Sequence, residues 1–504
     1  MAFQQSADHS TPSSPTREDA PPVGDEEKAL QRRTSDGPFK LQKILRYGRV
    51  EARGIEPVPL EERTSTRFYN IFTIWTSINS NILGITFGML GPLGYNLSLR
   101  DSALVILFFN ILSTTIPGYL STLGPKTGMR QMIQARYSFG RYLVSIPVLL
   151  NLATMTGFTV IIHIVGGQCL TAVSEGTVSP NAGIIIIGVL SLIVSFCGFK
   201  VLHVYETYAF ILALITITIT AGCGGSGLTK QATPAEPPTA ANVLNFGMIV
   251  ASYQIPWAAL ASDMSTYFDP KVSTLRVYTY TQLGLMIPTI LLMTLGAAIA
   301  GAVPNNPEWE ELYGKYQVGG VLAAMLASAG GFGKFVLVLL ALTLLGNTCG
   351  TFYSITLNFQ TLIPWLFKVP RYIFAFVIAA IIIAVAITAV DDFFLSLENF
   401  VALIGYWSAA FVAILIVEDV VFRRRNYALY DHASWNDASK LPLGVAAMAA
   451  GILCWGLIVP FMDQAWYQGP LAKSTGDLGF EIAFVLSGVL YIPLRYAEKR
   501  LTGR

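Results

Sequence analysis

Pro256, Trp257 and Asp263 share one otherwise apolar stretch, ASYQIPWAALASDMSTYF, residues 251–268. A proline has no amide hydrogen and clashes with the carbonyl one turn back, so backbone groups near Tyr253 and Gln254 lose their helical partners. In lipid each unpaired group costs several kcal/mol, so neighbouring helices, water or a ligand must satisfy it. Trp257 stands at that break, where its indole face can stack a flat, slightly polar ligand; base–aromatic stacking is worth about 1–3 kcal/mol. Packing is the plainer role for a tryptophan. Most membrane tryptophans sit at interfaces, however, and this one falls near mid-span.

Asn347 lies in the middle of FVLVLLALTLLGNTCGTFYSITLNFQ. Its amide offers two donors and an acceptor, suited to the edge of a planar heterocycle; the plain alternative is an interhelical hydrogen bond. Thr351, one turn further on, and Asn79 and Asn81 earlier in the chain are weaker versions of the same signal. In NLATMTGFTVIIHIVGGQCL, Phe158 and Ile162 share a face one turn apart. Phe158 can oppose Trp257 across a flat ligand, or both can be core. His163 adjoins them and can relay a proton, although a lone histidine among apolar helices is more often simply hydrogen-bonded. Three carboxylates, Glu206, Asp263 and Glu398, fall in or at the ends of apolar runs. Inserting such a group costs at least about 2.5–3.5 kcal/mol, so each is a candidate for proton coupling or gating, against the alternative of a helix-end residue reaching water.

Helices must position these residues. The chain of 504 residues is 53% hydrophobic and 13% charged, and soluble domains carry about twice that charged fraction. Apolar runs of about twenty residues recur from Asn70 almost to the C-terminus, about twelve in all. The expected spans are 68–92, 103–122, 143–173, 182–199, 203–222, 243–267, 279–302, 333–361, 371–390, 393–419, 442–462 and 477–496, with a short extra helix within 318–331. This predicts an all-α polytopic membrane protein.

Charge sets the orientation. With the N-terminus inside, inner loops hold roughly thirteen Lys and Arg and outer loops roughly five. Outer stretches such as PNNPEWEELYGKYQ (304–317) are acidic or neutral. The net charge of +2 says nothing about partners, and the five cysteines have no metal-like spacing. Residues 1–66 read as a cytoplasmic tail whose Ser-, Thr- and Pro-rich start should be disordered and could carry trafficking partners. The remaining divisions are a transport core over 67–420 (halves 67–222 and 243–420), a basic cytoplasmic loop 421–440, two accessory helices within 441–496, and a cytoplasmic tail 497–504.

Spans one and six are irregular. The first carries Asn79, Asn81, Gly84, Gly88, Gly91 and Pro92; the sixth carries Pro256. Interrupted helices at matching positions of two halves mark an inverted-repeat transporter, here a 5+5 core plus two C-terminal helices. No serine elbow, zinc helix or phosphate loop is present, so an enzyme is not expected. A channel would need a ring of charges or a repeated filter, and neither is seen.

Several motifs together resemble the nucleobase:cation symporter-1 family: PVPLEERT, IWTSINSNILGITFGMLGP, GPKTGMRQMIQARYSFGRY, VGGQCL, SYQIPWAALASDMSTYF, GNTCGTFYSITLNFQ and LENFVALIGYW. Within it the pattern is most similar to the fungal purine-cytosine permeases, from about residue 57 to about residue 425. The resemblance implies alternating access around a central site. Trp257 would stack on the base, Phe158 would contact it, and Asn347 would bond the ring edge near Asn81 and Gly84. The family's polar contact in span three falls on Ile162, which cannot hydrogen-bond. Sodium-coupled relatives place small hydroxyls about one turn before the asparagine. Here Ala341 and Leu342 stand there, beside Thr343, so proton coupling is expected rather than sodium. Ser65 replaces a usual acidic residue.

The expected function is therefore proton-coupled import of purines and cytosine across the plasma membrane, with both termini cytoplasmic. No cofactor beyond the coupling ion, no metal and no nucleic acid is expected; the partners are the base and the bilayer. The alternatives are transport of a related heterocycle (a vitamin, an allantoin-like compound or a specialised metabolite) and a receptor-like relative that does not transport.

Overall fold

The computed structural model describes residues 54–196, 198–362, 371–391, 393–464 and 466–504, without the side chains of 195, 196, 198–208, 349, 353, 371 and 372. Among the described residues, seven helices are long and apolar enough to cross a membrane, and five shorter apolar helices accompany them.

The first span is two helices, α1 (Tyr69–Asn79) and α2 (Ile82–Tyr95). The break falls at Ser80–Asn81, where Asn81 is fully extended (φ −153°, ψ 170°) and its side chain accepts from the Leu83 amide, capping α2. Gly84, Gly88, Gly91 and Pro92, expected to share in the irregularity, lie inside α2 instead. The glycines serve packing. A Cβ on Gly88 would stand 1.9 Å from the Met293 carbonyl oxygen, and one on Gly296 2.0 Å from that of Ile85. Bare backbone therefore meets bare backbone between α2 and the helix carrying Met293.

Helix α3 (Leu99–Ser121) starts before the expected 103, because Ser98 caps it by accepting from the Asp101 amide. It is followed by α4 (Ser145–Val173), α5 (Pro180–Phe196) and α6 (Gly198–Cys223). Helix α7 (Ala240–Gln254) is α-helical for only half of the expected 243–267. From Ile255 to Leu260 the chain winds as a tighter 3-10 helix with Pro256 in its first turn; there a missing N–H costs least.

Helix α8 (Thr274–Ala302) begins ahead of the expected 279, its polar first turn lying outside the apolar run. Helix α9 (Pro307–Leu326) corrects another expectation: PNNPEWEELYGKYQ is helical from Pro307 and kinks at Tyr316–Gln317. A proline at the first position and Glu308 and Glu310 in the first turn favour that start. The remaining helices are α10 (Gly330–Leu362), α11 (Arg371–Ala389), α12 (Phe393–Val417), α13 (Val445–Leu453), α14 (Trp455–Phe461) and α15 (Gly479–Thr502). The last runs past the expected 496 because its polar end is anchored by Arg495 and Glu498.

Helix α8 packs on α1, α2 and α3; α4 packs on α5, α9 and α10; α12 packs on α7 and α15. The two broken helices are buried among them. Residues 1–53 of the expected tail lie outside the described residues, whereas 54–66 are folded onto the segment between α3 and α4, so this part of the expected tail is not disordered. Ile55 and Val58 are buried, the Val58 amide donates to Gly128 O at 2.8 Å, and the Arg63 guanidinium donates to Pro125 O at 3.1 Å. Ser65 forms a parallel bridge with Phe268, through its own backbone.

Candidate functional site

The break in the first span leaves Ile78 O without a normal helical partner, and two amides meet it. Asn81 Nδ2 donates to it at 2.7 Å and Asn347 Nδ2 at 3.2 Å. The Thr351 hydroxyl donates to Asn347 O at 2.9 Å and approaches Asn347 Oδ1 at 3.3 Å. Asn81, Asn347 and Thr351, from different ends of the sequence, thus form one hydrogen-bonded group at the break. Gly84 faces elsewhere: a Cβ there would meet Leu292 of α8 at 3.0 Å.

Trp257 sits just beyond the second break, with the Trp75 ring 5.6 Å away at 72°, edge to face. Phe158 belongs to a neighbouring aromatic group: Phe87 at 6.2 Å, Tyr253 at 6.2 Å and Phe400 at 6.0 Å. Its link to Trp257 runs through Tyr253, one turn before the tryptophan. Trp257 and Phe158 keep 8% and 9% exposure in a surrounding where Trp75 and Ile162 have none. His163 bonds Ser191 Oγ at 3.1 Å, toward α5.

Six buried polar atoms at the two breaks have no hydrogen-bond partner among the described residues: Trp75 Nε1, Ser77 Oγ, Asn79 Oδ1, Ser80 Oγ, Tyr253 OH and Gln254 Oε1. An orphaned buried donor or acceptor costs about 1–3 kcal/mol. Unpartnered atoms on the residues of both breaks suit a site whose ligand or water completes them.

The carboxylates lie at the two ends. Tyr95 OH donates to Glu398 Oε1 at 2.5 Å, joining the end of α2 to α12. At the other end Asp263 Oδ1 accepts from the Gln131 amide at 2.7 Å. Ser262 and Ser265 add bonds to Leu120 O and Ser121 O. Glu206 lies in α6, and its side chain is outside the described residues.

A buried ionic group past α12 is not foreshadowed by any sequence pattern. Glu418 pairs with Arg423 at 2.9 Å and with Arg495 at 3.3 Å, and Arg495 reaches Glu498 at 2.9 Å. Arg423 also lies over the rings of Tyr137 and Tyr430; burial pushes the Tyr137 phenol up to about 12. Only Arg495, brought across the fold, reveals the pairing of Glu418. The Trp75 side chain, and those of Tyr253 and Gln254 (named in the sequence only for their backbone), do not stand out either, since single polar or aromatic residues inside apolar runs look like core.

A membrane-crossing helical bundle with two broken helices at its centre, and aromatic rings and unpartnered polar atoms gathered at the breaks, defines a membrane transporter rather than an enzyme. Residues 57–480 match the family described as permease for cytosine/purines, uracil, thiamine, allantoin, and the chain belongs to that family. It is 35% identical over 471 residues to the purine-cytosine permease fcyB of Emericella nidulans, covering 92% of each chain. It is 33% identical to the purine-cytosine permease FCY2 of Saccharomyces cerevisiae, over 90% of this chain and 87% of that one. Its fold is similar to that of Mhp1, a nucleobase-cation-symport-1 family transporter solved in a closed conformation with bromovinylhydantoin bound. There the TM-score is 0.67 at 17% identity, covering 89% of this chain and 96% of Mhp1.

Proposed function

We propose that this protein is a secondary active importer of nucleobases, purines and cytosine, coupled to protons and working by alternating access around the two breaks. The observation that carries this reading is that residues at the two breaks hold six unpartnered buried polar atoms, while the rings of Trp75 and Trp257 bring the two breaks together at 5.6 Å. A base is flat, with polar edges, and needs both a stacking face and donors and acceptors in a site closed to water. The two relatives, named purine-cytosine permeases, support that substrate class.

In this reading Trp257 stacks on the base, Phe158 closes the aromatic side, and Asn347, held by Thr351, meets the ring edge near Asn81 and Gly84. The breaks in spans one and six are the matching pair of a 5+5 inverted repeat within twelve spans. Proton coupling is favoured over sodium because the side chains of Ala341 and Leu342 carry no oxygen where sodium-coupled relatives place hydroxyls. Glu398 and Asp263, one at each end of the path, and Glu206 are the candidates for carrying the proton or gating. Loop charge supports both termini being cytoplasmic; import of bases places the protein in the plasma membrane, and the tail is the place for trafficking partners.

The test is uptake of labelled adenine and cytosine at pH 5 and pH 8, with and without a protonophore, in cells lacking their own base importers. Saturable uptake, higher at pH 5 and abolished by the protonophore, is expected. No uptake of either base by protein shown to be at the cell surface would refute the reading. A second reading, transport of a related heterocycle, is favoured by Ile162, which is apolar and fully buried where a polar contact is usual. Strong competition by uracil, thiamine or allantoin with weak competition by adenine would establish it.

A further inference from the structure

We propose that Trp75 and Asn79, on the half of span one before the break, form a donor–acceptor pair that reads one edge of the transported base. This rests on the base-transport reading above. The two residues are one turn apart, so they share a face of α1. Asn79 Nδ2 donates to Trp75 O at 3.0 Å, and a carbonyl can only accept. The amide orientation is thereby fixed, with Oδ1 left as the free acceptor. Trp75 Nε1 can only donate. Both atoms are fully buried and neither has a partner among the described residues.

The Trp75 ring is also held in place. Gly284 of α8 has no side chain, and a Cβ there would stand 3.0 Å from Trp75 Cβ and 2.8 Å from Phe72 O. On its other side the ring meets Trp257 edge to face at 5.6 Å. A base stacked on Trp257 therefore has a fixed N–H donor and a fixed carbonyl acceptor within the same cluster. That combination complements an edge carrying a ring nitrogen acceptor next to an amino donor, as adenine and cytosine both present.

The experiment is competition against labelled adenine uptake by the full-length protein in cells lacking base importers. The competitors are a series of deaza-adenines, each with one ring nitrogen replaced by C–H, and purine bearing methyl in place of the amino group. Losing one hydrogen bond while leaving its buried partner unpaired should weaken competition about tenfold. In the wild type, one deaza-adenine and the methyl analogue should each show that loss. Trp75→Phe should erase the deaza penalty alone, and Trp75→His, which restores a ring N–H, should bring it back. Asn79→Leu should erase the methyl penalty alone.

A merely structural Trp75 would shift all competitors together. Deaza-adenines that all match adenine on the wild type would overturn the proposal without any variant. So would full discrimination retained by Trp75→Phe and Asn79→Leu. Failure of the wild type to take up adenine at all would instead count against base transport itself.

Discussion

Ile78 O accepts from Asn81 and from Asn347, so the side chain proposed to meet the base also bonds the backbone freed at the helix break. The two tasks separate by mutation. Asn81→Ala loses both the Ile78 bond and the cap on α2, and should cost about 1–2 kcal/mol of stability, read as a lower melting temperature of the purified protein. Asn347→Ala leaves the cap intact and should change which bases compete for uptake; an unaltered competition profile would remove Asn347 from the ring edge. Trp257 and Asn347 were legible in the sequence because each is the wrong type for its apolar run. Trp75 was not, because an aromatic beside Ile74 looks like core until Trp257 is brought against it from a distant helix.

Between elements, α2 lies backbone to backbone on α8, and this approach depends on glycine. Gly88→Ala would push a methyl into the Met293 carbonyl, which is backbone and cannot move aside. Overpacking of this kind costs about 1–3 kcal/mol or more, so the variant should be markedly less stable. Gly84→Ala meets only the Leu292 side chain, at 3.0 Å, and should be milder; the order of the two melting temperatures tests this. Equal values would mean α2 can shift freely on α8. The glycines of span one announced an exception to a plain lipid-spanning helix, but composition alone could not say whether they break a helix or let two meet. Pro256 was easier, since the missing N–H limits where it can stand in a helix, and the switch to 3-10 winding begins at Ile255. Helix ends were read less well, because polar first turns at Leu99 and Thr274 and the amphipathic end of α15 lie outside the hydropathy signal.

Among the described residues, contacts tie the helices together at both ends of the proposed path: Tyr95 to Glu398 at one, Asp263 to Gln131 and Ser65 to Phe268 at the other. A hydrogen bond to a charged group is worth about 1.5–3 kcal/mol. Tyr95→Phe should therefore favour opening at the Glu398 end by roughly tenfold or more. In a background lacking native cysteines, Phe246→Cys, beside Tyr95 at 6.0 Å, should react faster with a membrane-impermeant maleimide when Tyr95→Phe is added. An unchanged rate would show that this bond is no gate. That the chain is a helical protein with many membrane-crossing segments was legible at this scale from its apolar runs. The Glu418–Arg423–Arg495 group was not, because its partners meet only in the fold.

The most direct test of the central claim is equilibrium binding of labelled adenine to the purified protein, wild type against Trp257→Ala, with melting temperature measured on both. Saturable binding by the wild type that is lost in a variant of unchanged melting behaviour is the predicted result. Equal binding by both proteins would contradict a base site at the two breaks.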